Sequence, residues 1–256
     1  MKTSVVSPFF PTGASGWEIG TEKSPRKKAE ADYKKRTTDP LGLPHNETTF
    51  VFVTPRLWPG RSKWQSGKRA SAKWKGIQVI GADALEQWLD SAPAVALWLA
   101  RQVGKVVSGG IRDLENVWEE WSLATNPTMT ADLVIGGRTR DVDRVHKWLT
   151  DRPGVLSVQG DSPDEAVAFL YAGIAALPEL SRVRVLSRCV FVESINELRQ
   201  MTQAFQNPMI IAAPGQCIEA AGAAVAKGHH VLLSMDAKRL PFISPAAQRS
   251  SRQTWH

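Results

Sequence analysis

An α/β protein in two parts is what this chain of 256 residues predicts. Three observations carry that expectation. Past Asn126-Pro127, short apolar runs alternate with amphipathic stretches across Gly- and Pro-containing joints, the texture of a parallel sheet covered on both faces. Ahead of it, Gly16 to Ile19, a basic stretch and the apolar run Thr48 to Thr54 form a strand-helix-strand unit. Charge is also uneven: residues 1–75 carry 15 Lys/Arg against 6 Asp/Glu, a net of +9, and the remainder carries 17 against 19, a net of −2.

Composition excludes several classes. With 43% hydrophobic and 22% charged residues the chain is globular rather than disordered. No apolar run reaches the roughly 20 residues of a membrane span, and Met1 to Pro11 lacks the pattern of a secretory signal. Cys189 and Cys217 are too few for a disulfide scaffold or a four-thiolate zinc site. A cytoplasmic protein with no membrane partner is expected.

The first dozen residues, with Pro8, Pro11 and Gly13, read as irregular, and Gly16 to Ile19 as a short strand end. Ser24-Pro25 opens a helix, Ser as N-cap and Pro in the first turn, which Thr37-Thr38-Asp39-Pro40 ends after Arg36. Thr48 to Thr54 is β-branched and aromatic, a strand buried on both faces. Leu57 to Lys75 reads as a loop or irregular helix. Its Trp58, Trp64 and Trp74 alternate with cations and could stack bases. Trp anchors with Lys stems lying over them are the favoured reading. Ile77 to Ile80 is a strand, Asp83 to Leu89 and Ala94 to Val103 are helices, and Gly104 to Gly110 is a joint. Ile111 to Trp121 spaces Leu114, Val117, Trp118 and Trp121 as one helical stripe.

The second part is expected to use strands Leu133 to Ile135, Val155 to Val158, Val183 to Leu186, Pro208 to Ala212 and His230 to Leu233. Helices Asp141 to Leu149, Pro163 to Ala176, Ile195 to Phe205 and Ile218 to Lys227 lie between them. That order predicts a parallel five-stranded, flavodoxin-like domain over 124–245, after a first lobe over 1–123. The polar stretch 246–256 is expected to be a disordered tail.

Glu18 is the sharpest candidate for chemistry. A carboxylate at a strand end beside a Lys-rich helix can hold a divalent cation that activates water against a phosphodiester. Lysines such as Lys23, Lys27, Lys28, Lys34 and Lys35 could stabilise the charge that develops. The plainer alternative is a solvated carboxylate paired with a neighbouring cation. In the second part, Gly136-Gly137-Arg138 is placed where phosphate can dock between strand and helix. Neither a Gly-x-Gly-x-x-Gly nor a P-loop accompanies it. His229-His230 begins a strand, so the two rings point to opposite faces and do not share one ion.

The runs Gly16-Trp-Glu-Ile-Gly20, Lys28-Ala-Glu-Ala-Asp-Tyr-Lys-Lys-Arg-Thr37 and Thr49-Phe-Val-Phe-Val-Thr-Pro-Arg56 carry a resemblance. With the later helix Asp83-Ala-Leu-Glu-Gln-Trp-Leu89, their order is similar to the second half of a PD-(D/E)XK domain of the Mrr restriction-endonuclease type. They also resemble the start of large bacterial proteins that pair such a domain with a STAND-type NTPase and are implicated in antiphage defence. The similarity spans residues 8–240. Two departures stand out. The family's first acidic ligand lies on an earlier strand, yet the 17 residues before Glu18 contain no Asp or Glu. Glu18-Ile19-Gly20 also lacks Lys at its third position, so Lys28 would have to substitute from the helix. The resemblance is therefore to a truncated, incomplete restriction-endonuclease-like lobe.

What it implies is a DNA-directed, Mg²⁺-dependent nuclease-type domain, or its inactive remnant. Glu18 would be metal ligand and catalytic carboxylate, and Lys28 the catalytic, phosphate-facing charge. Arg26, Lys27, Lys34, Lys35, Arg36 and Arg56 would meet the nucleic-acid backbone. The second part would be a sensor or coupling module toward an NTPase. The alternative is a non-catalytic module that binds nucleic acid or protein.

Overall fold

The computed structural model describes residues 2–3, 10–105 and 109–236. It is a mixed α/β protein that divides into two compact units, Met1–Leu89 and Asp90–His256. The division falls ahead of the 123/124 boundary expected from composition. The expected tail at 246–256 and the centre of the joint (106–108) lie outside the described residues.

The first unit carries a four-stranded sheet in the order β1-β2-β3-β4, formed by Lys2–Thr3, Gly13–Ile19, Thr48–Val53 and Gly76–Ile80. Strands β2, β3 and β4 are parallel, and β1 pairs antiparallel with the start of β2. Helix α1 (Pro25–Thr38) connects β2 to β3, and α2 (Arg61–Ala70) connects β3 to β4. Thr48–Val53 is buried along nearly its whole length, as its apolar run requires. Phe50, Phe52, Ile77 and Val79 alternate on one face and pack with Ala29, Tyr33, Trp58, Trp64 and Trp74. Each large side chain withdrawn this way contributes roughly 1.5–3 kcal/mol. The three tryptophans are thus anchors, and the stretch read as a loop or irregular helix contains the regular helix α2. Lys68 of α2 lies 4.6 Å from the Tyr33 ring centroid. Helix α3 (Ala82–Ser91) follows.

The second unit holds a five-stranded sheet in the order β5-β7-β8-β9-β6. The strands are β5 (Ile111–Asp113), β6 (Val155–Gly160), β7 (Cys189–Val192), β8 (Ile210–Pro214) and β9 (His230–Asp236). β6 to β9 are parallel and β5 is an antiparallel edge. Numbered within the unit the order is 1-3-4-5-2, which differs from the flavodoxin order 2-1-3-4-5.

Two expected strands are helical. Leu133 to Ile135 lies in α6 (Ala131–Ile135), capped by the Thr130 hydroxyl, with Leu133 exposed. Val183 to Leu186 lies in α9 (Glu179–Leu186), where Val183 faces solvent while Val185 and Leu186 are buried. The buried run that builds the sheet is the next one, Cys189-Val-Phe-Val192. The stripe read as one helix from Ile111 begins as β5. Asp113 then caps α5 (Leu114–Leu123), accepting from the Asn116 amide at 2.8 Å. The remaining helices are α4 (Pro93–Gln102), α7 (Thr139–Thr150), α8 (Pro163–Ala175), α10 (Ile195–Ala204) and α11 (Ile218–Ala226). Gly136-Gly137-Arg138 therefore joins two helices rather than leaving a strand. Among the described residues no helix is long and apolar enough to cross a membrane.

Candidate functional site

Alternation along β2 decides where Glu18 points. It pairs in register with Phe52 of β3, whose side chain belongs to the face covered by α1. On α1 the buried residues Ala29, Asp32 and Tyr33 form the inward stripe. Lys28, Asp32 and Arg36 follow one another at i, i+4 spacing along its margin. Arg36 Nε donates to Glu18 Oε1, and both side chains are 21% exposed. Lys28 Nζ lies 3.0 Å from Asp32 Oδ1 and 3.6 Å from Glu22 Oε1. The hydrogen bond to Glu18 holds the Arg36 guanidinium more firmly protonated, and that to Asp32 does the same for Lys28. The result is an alternating row of cation, acid, cation and acid: Lys28, Asp32, Arg36 and Glu18.

Asp32 is the residue that sequence reasoning missed. Its side chain is only 8% exposed, and its second carboxylate oxygen, Oδ2, has no hydrogen-bond partner among the described residues. The signal was present in the spacing, since an acid midway between two cations at i±4 is set to neutralise both.

Gly20 stands where the resemblance would place a lysine. A Cβ there would fall 2.7 Å from Lys28 Cγ and 2.7 Å from Phe52 Cζ. The stem of Lys28 therefore runs over the backbone at position 20, the placement a substitute lysine from the helix would need.

The other predicted cations are not drawn into this row. Arg26, Lys27, Lys34 and Lys35 are exposed on the outer side of α1, with no ion pair among the described residues. Arg56 follows β3 and is exposed; its Nε donates to the Thr21 carbonyl at 3.1 Å, so the guanidinium is held beside the end of β2. Glu30 faces α2 instead. Burial pushes its carboxyl up, but hydrogen bonds from Lys68 at 2.7 Å and Trp64 at 2.9 Å outweigh that and leave it below the usual range. Beside Glu18 a cleft of about 160 Å³ is bounded by Trp17, Arg36, Leu43, Phe50 and Trp74.

The structure thus brings Glu18 and Arg36 together and places Lys28 next to Gly20, while four of the six expected backbone contacts face away from them. A divalent cation would require carboxylate oxygens free to bind it. Glu18 and Asp32 each carry a fixed cation already, and among the described residues no three His, Cys, Asp or Glu side chains converge as metal ligands. As they stand, these residues do not fit a Mg²⁺ ion.

In the second unit His229 and His230 are buried, and burial lowers both rings below the ordinary His range. His229 Nδ1 accepts from the Met209 amide at 3.2 Å, and the His230 ring meets Trp148 edge-on. These are packing roles. Arg138 is likewise tied to Glu165 at 3.4 Å. No protein-family model matches the chain, and no curated protein matches it.

Proposed function

We propose that the first unit binds the phosphate backbone of duplex DNA through the outer face of α1, as the inactive remnant of a restriction-endonuclease-like domain. The observation that carries this is the sorting of charge on one helix. Lys28 and Arg36 turn inward and neutralise Asp32 and Glu18, whereas Arg26, Lys27, Lys34 and Lys35 are exposed and make no close ion pair among the described residues, Lys34 acting only at longer range on Glu30. Free cations on a rigid element are what counterion release from DNA uses. A Glu-bearing strand, a basic helix and a parallel strand in succession support the kinship with the nuclease fold. Coupling of the second unit to an NTPase belongs to the same proposal, within a bacterial defence protein.

The test is fluorescence anisotropy with a labelled duplex across a salt series. Four phosphate contacts give a slope of roughly −4 in log K against log salt, from about −0.9 per contact. A flat response rejects the proposal.

A catalytic reading is favoured by one feature, the unpartnered Oδ2 of buried Asp32. It requires Arg36 to release Glu18 so that the two acids can take Mg²⁺. Nicking of supercoiled plasmid in Mg²⁺ or Mn²⁺ by wild type, abolished in Glu18→Ala, would establish that reading. No nicking, or equal nicking by both proteins, leaves the binding role.

A further inference from the structure

The second unit's sheet ends in two unlike edges. β5 is three residues long and antiparallel, a short edge that offers little to pair with. β6 is twice that length, and among the described residues it pairs only with β9. Its sequence, Val155-Leu-Ser-Val-Gln-Gly160, contains no charge and no proline. Those are the devices that ordinarily keep an edge strand from recruiting another.

The ladder fixes which groups are open. Val231 N–H donates to the Gly154 carbonyl, so in this parallel pair the even-numbered residues of β6 bond to β9. The N–H and C=O groups of Val155, Ser157 and Gln159 therefore point away from the sheet. Their side chains are exposed, while Leu156 and Val158 lie against the core on the helix-covered face. On that face a cleft of about 480 Å³ runs along the edge, between α7 and the start of α8. Val145, Leu156, Val158 and Phe169 supply its apolar wall, and Arg144 and Asp161 its rim.

We propose that this edge is a pairing surface for a second copy of the chain, which joins β6 antiparallel to β6 about a two-fold axis through Ser157. The strand is self-complementary in that register. Ser157 faces Ser157 of the other copy, Val155 faces Gln159, and Leu156 faces Val158, so apolar side chains meet apolar ones over the cleft. The outward groups of residues 155, 157 and 159 exchange ladder bonds as three hydrogen-bonded pairs. The cleft's rim carries both signs, with Arg144 ion-paired to Asp141 at 3.6 Å and Arg138 to Glu165 at 3.4 Å within the same copy, so no strong single-signed field opposes an isologous contact. A second copy is the occupant because this strand's own register, Leu156 against Val158 about Ser157, is complementary to itself.

The experiment is light scattering with size exclusion on the whole chain. Wild type should move from 28.1 kDa toward twice that mass as concentration rises from about 1 to 100 µM, the span over which a modest interface forms. Ser157→Lys alone and Ser157→Glu alone place like charges opposite one another on the axis, and each should remain monomeric with an unchanged circular dichroism spectrum. Mixed in equal amounts, the two should form a heterodimer. A wild type that stays monomeric overturns the proposal, as does a dimer indifferent to both variants. Amide protection of Ser157 and Gln159 that does not vary with concentration would show that another segment already occupies the edge, and would overturn it too.

Discussion

Gly20→Ala is the substitution with the most decisive physics at the candidate site. Gly20 has no left-handed backbone conformation, so alanine fits its dihedrals. On chain entropy alone the change would stabilise by about 0.4–1 kcal/mol. Packing opposes this. The new methyl would sit 2.7 Å from Lys28 Cγ and from Phe52 Cζ, where carbon atoms prefer 3.5–4.0 Å. Lys28 meets the methyl near its base and is tethered through Nζ to Asp32 and Glu22, and Phe52 is fully buried with its ring edge-on to Trp58, so neither gives way freely. Overpacking of this kind costs about 1–3 kcal/mol, so against the entropic gain the net destabilisation is centred on roughly 1.3 kcal/mol. In a unit of this size that is a fall in melting temperature of about 4 °C or more per kcal/mol. Urea and thermal unfolding measure it. Relative to the corresponding single variants, adding Phe52→Leu or Lys28→Ala should each recover part of the loss. A Gly20→Ala protein as stable as wild type, or one rescued by neither second change, would refute the placement of Phe52 and Lys28.

Burial lowers the His229 and His230 rings, so the unfolded chain takes up protons near the ordinary His value while the folded unit does not. Stability of the second unit should therefore fall as pH drops from 7.5 to 5.5, and a urea midpoint that stays constant over that range contradicts it. Burial also raises the thiols of Cys189 and Cys217, which have 1% and 0% exposure. Neither should react with a chromogenic disulfide reagent at pH 8 until denaturant is added; rapid labelling of the native protein would show an accessible thiol. Ile211→Ala, at a fully buried site on β8, should cost about 2–5 kcal/mol in chemical denaturation, and a loss under 1 kcal/mol would displace Ile211 from the core.

The sequence made some elements plain because a single physical signal dominated them. Thr48 to Val53 is β-branched and aromatic throughout, and Ser24-Pro25 marks the start of α1, with Pro25 in its first turn. Val183 to Leu186 and Cys189 to Val192 were harder to separate, since both are short β-branched runs. Helical spacing after Pro178 decides the first and complete burial decides the second. Ile111 to Asp113 was hidden because its apolar residue continues the stripe of the helix that follows. At the candidate site, position alone revealed Glu18 and the basic helix. Which cations turn inward depends on the angle at which α1 packs on the sheet, and no periodicity within fourteen residues states that angle.

The division of α1 into inward and outward cations is tested most directly by comparing two double variants for duplex binding over a salt series. Lys27→Glu with Lys34→Glu should weaken binding and reduce the salt slope by roughly 2, about 0.9 for each lost contact. Lys28→Met with Arg36→Gln, provided its circular dichroism is native, should leave the slope unchanged. The reverse pattern, with the outward pair dispensable and the inward pair essential, would contradict the account and return Glu18 and its neighbours to the centre of the chemistry.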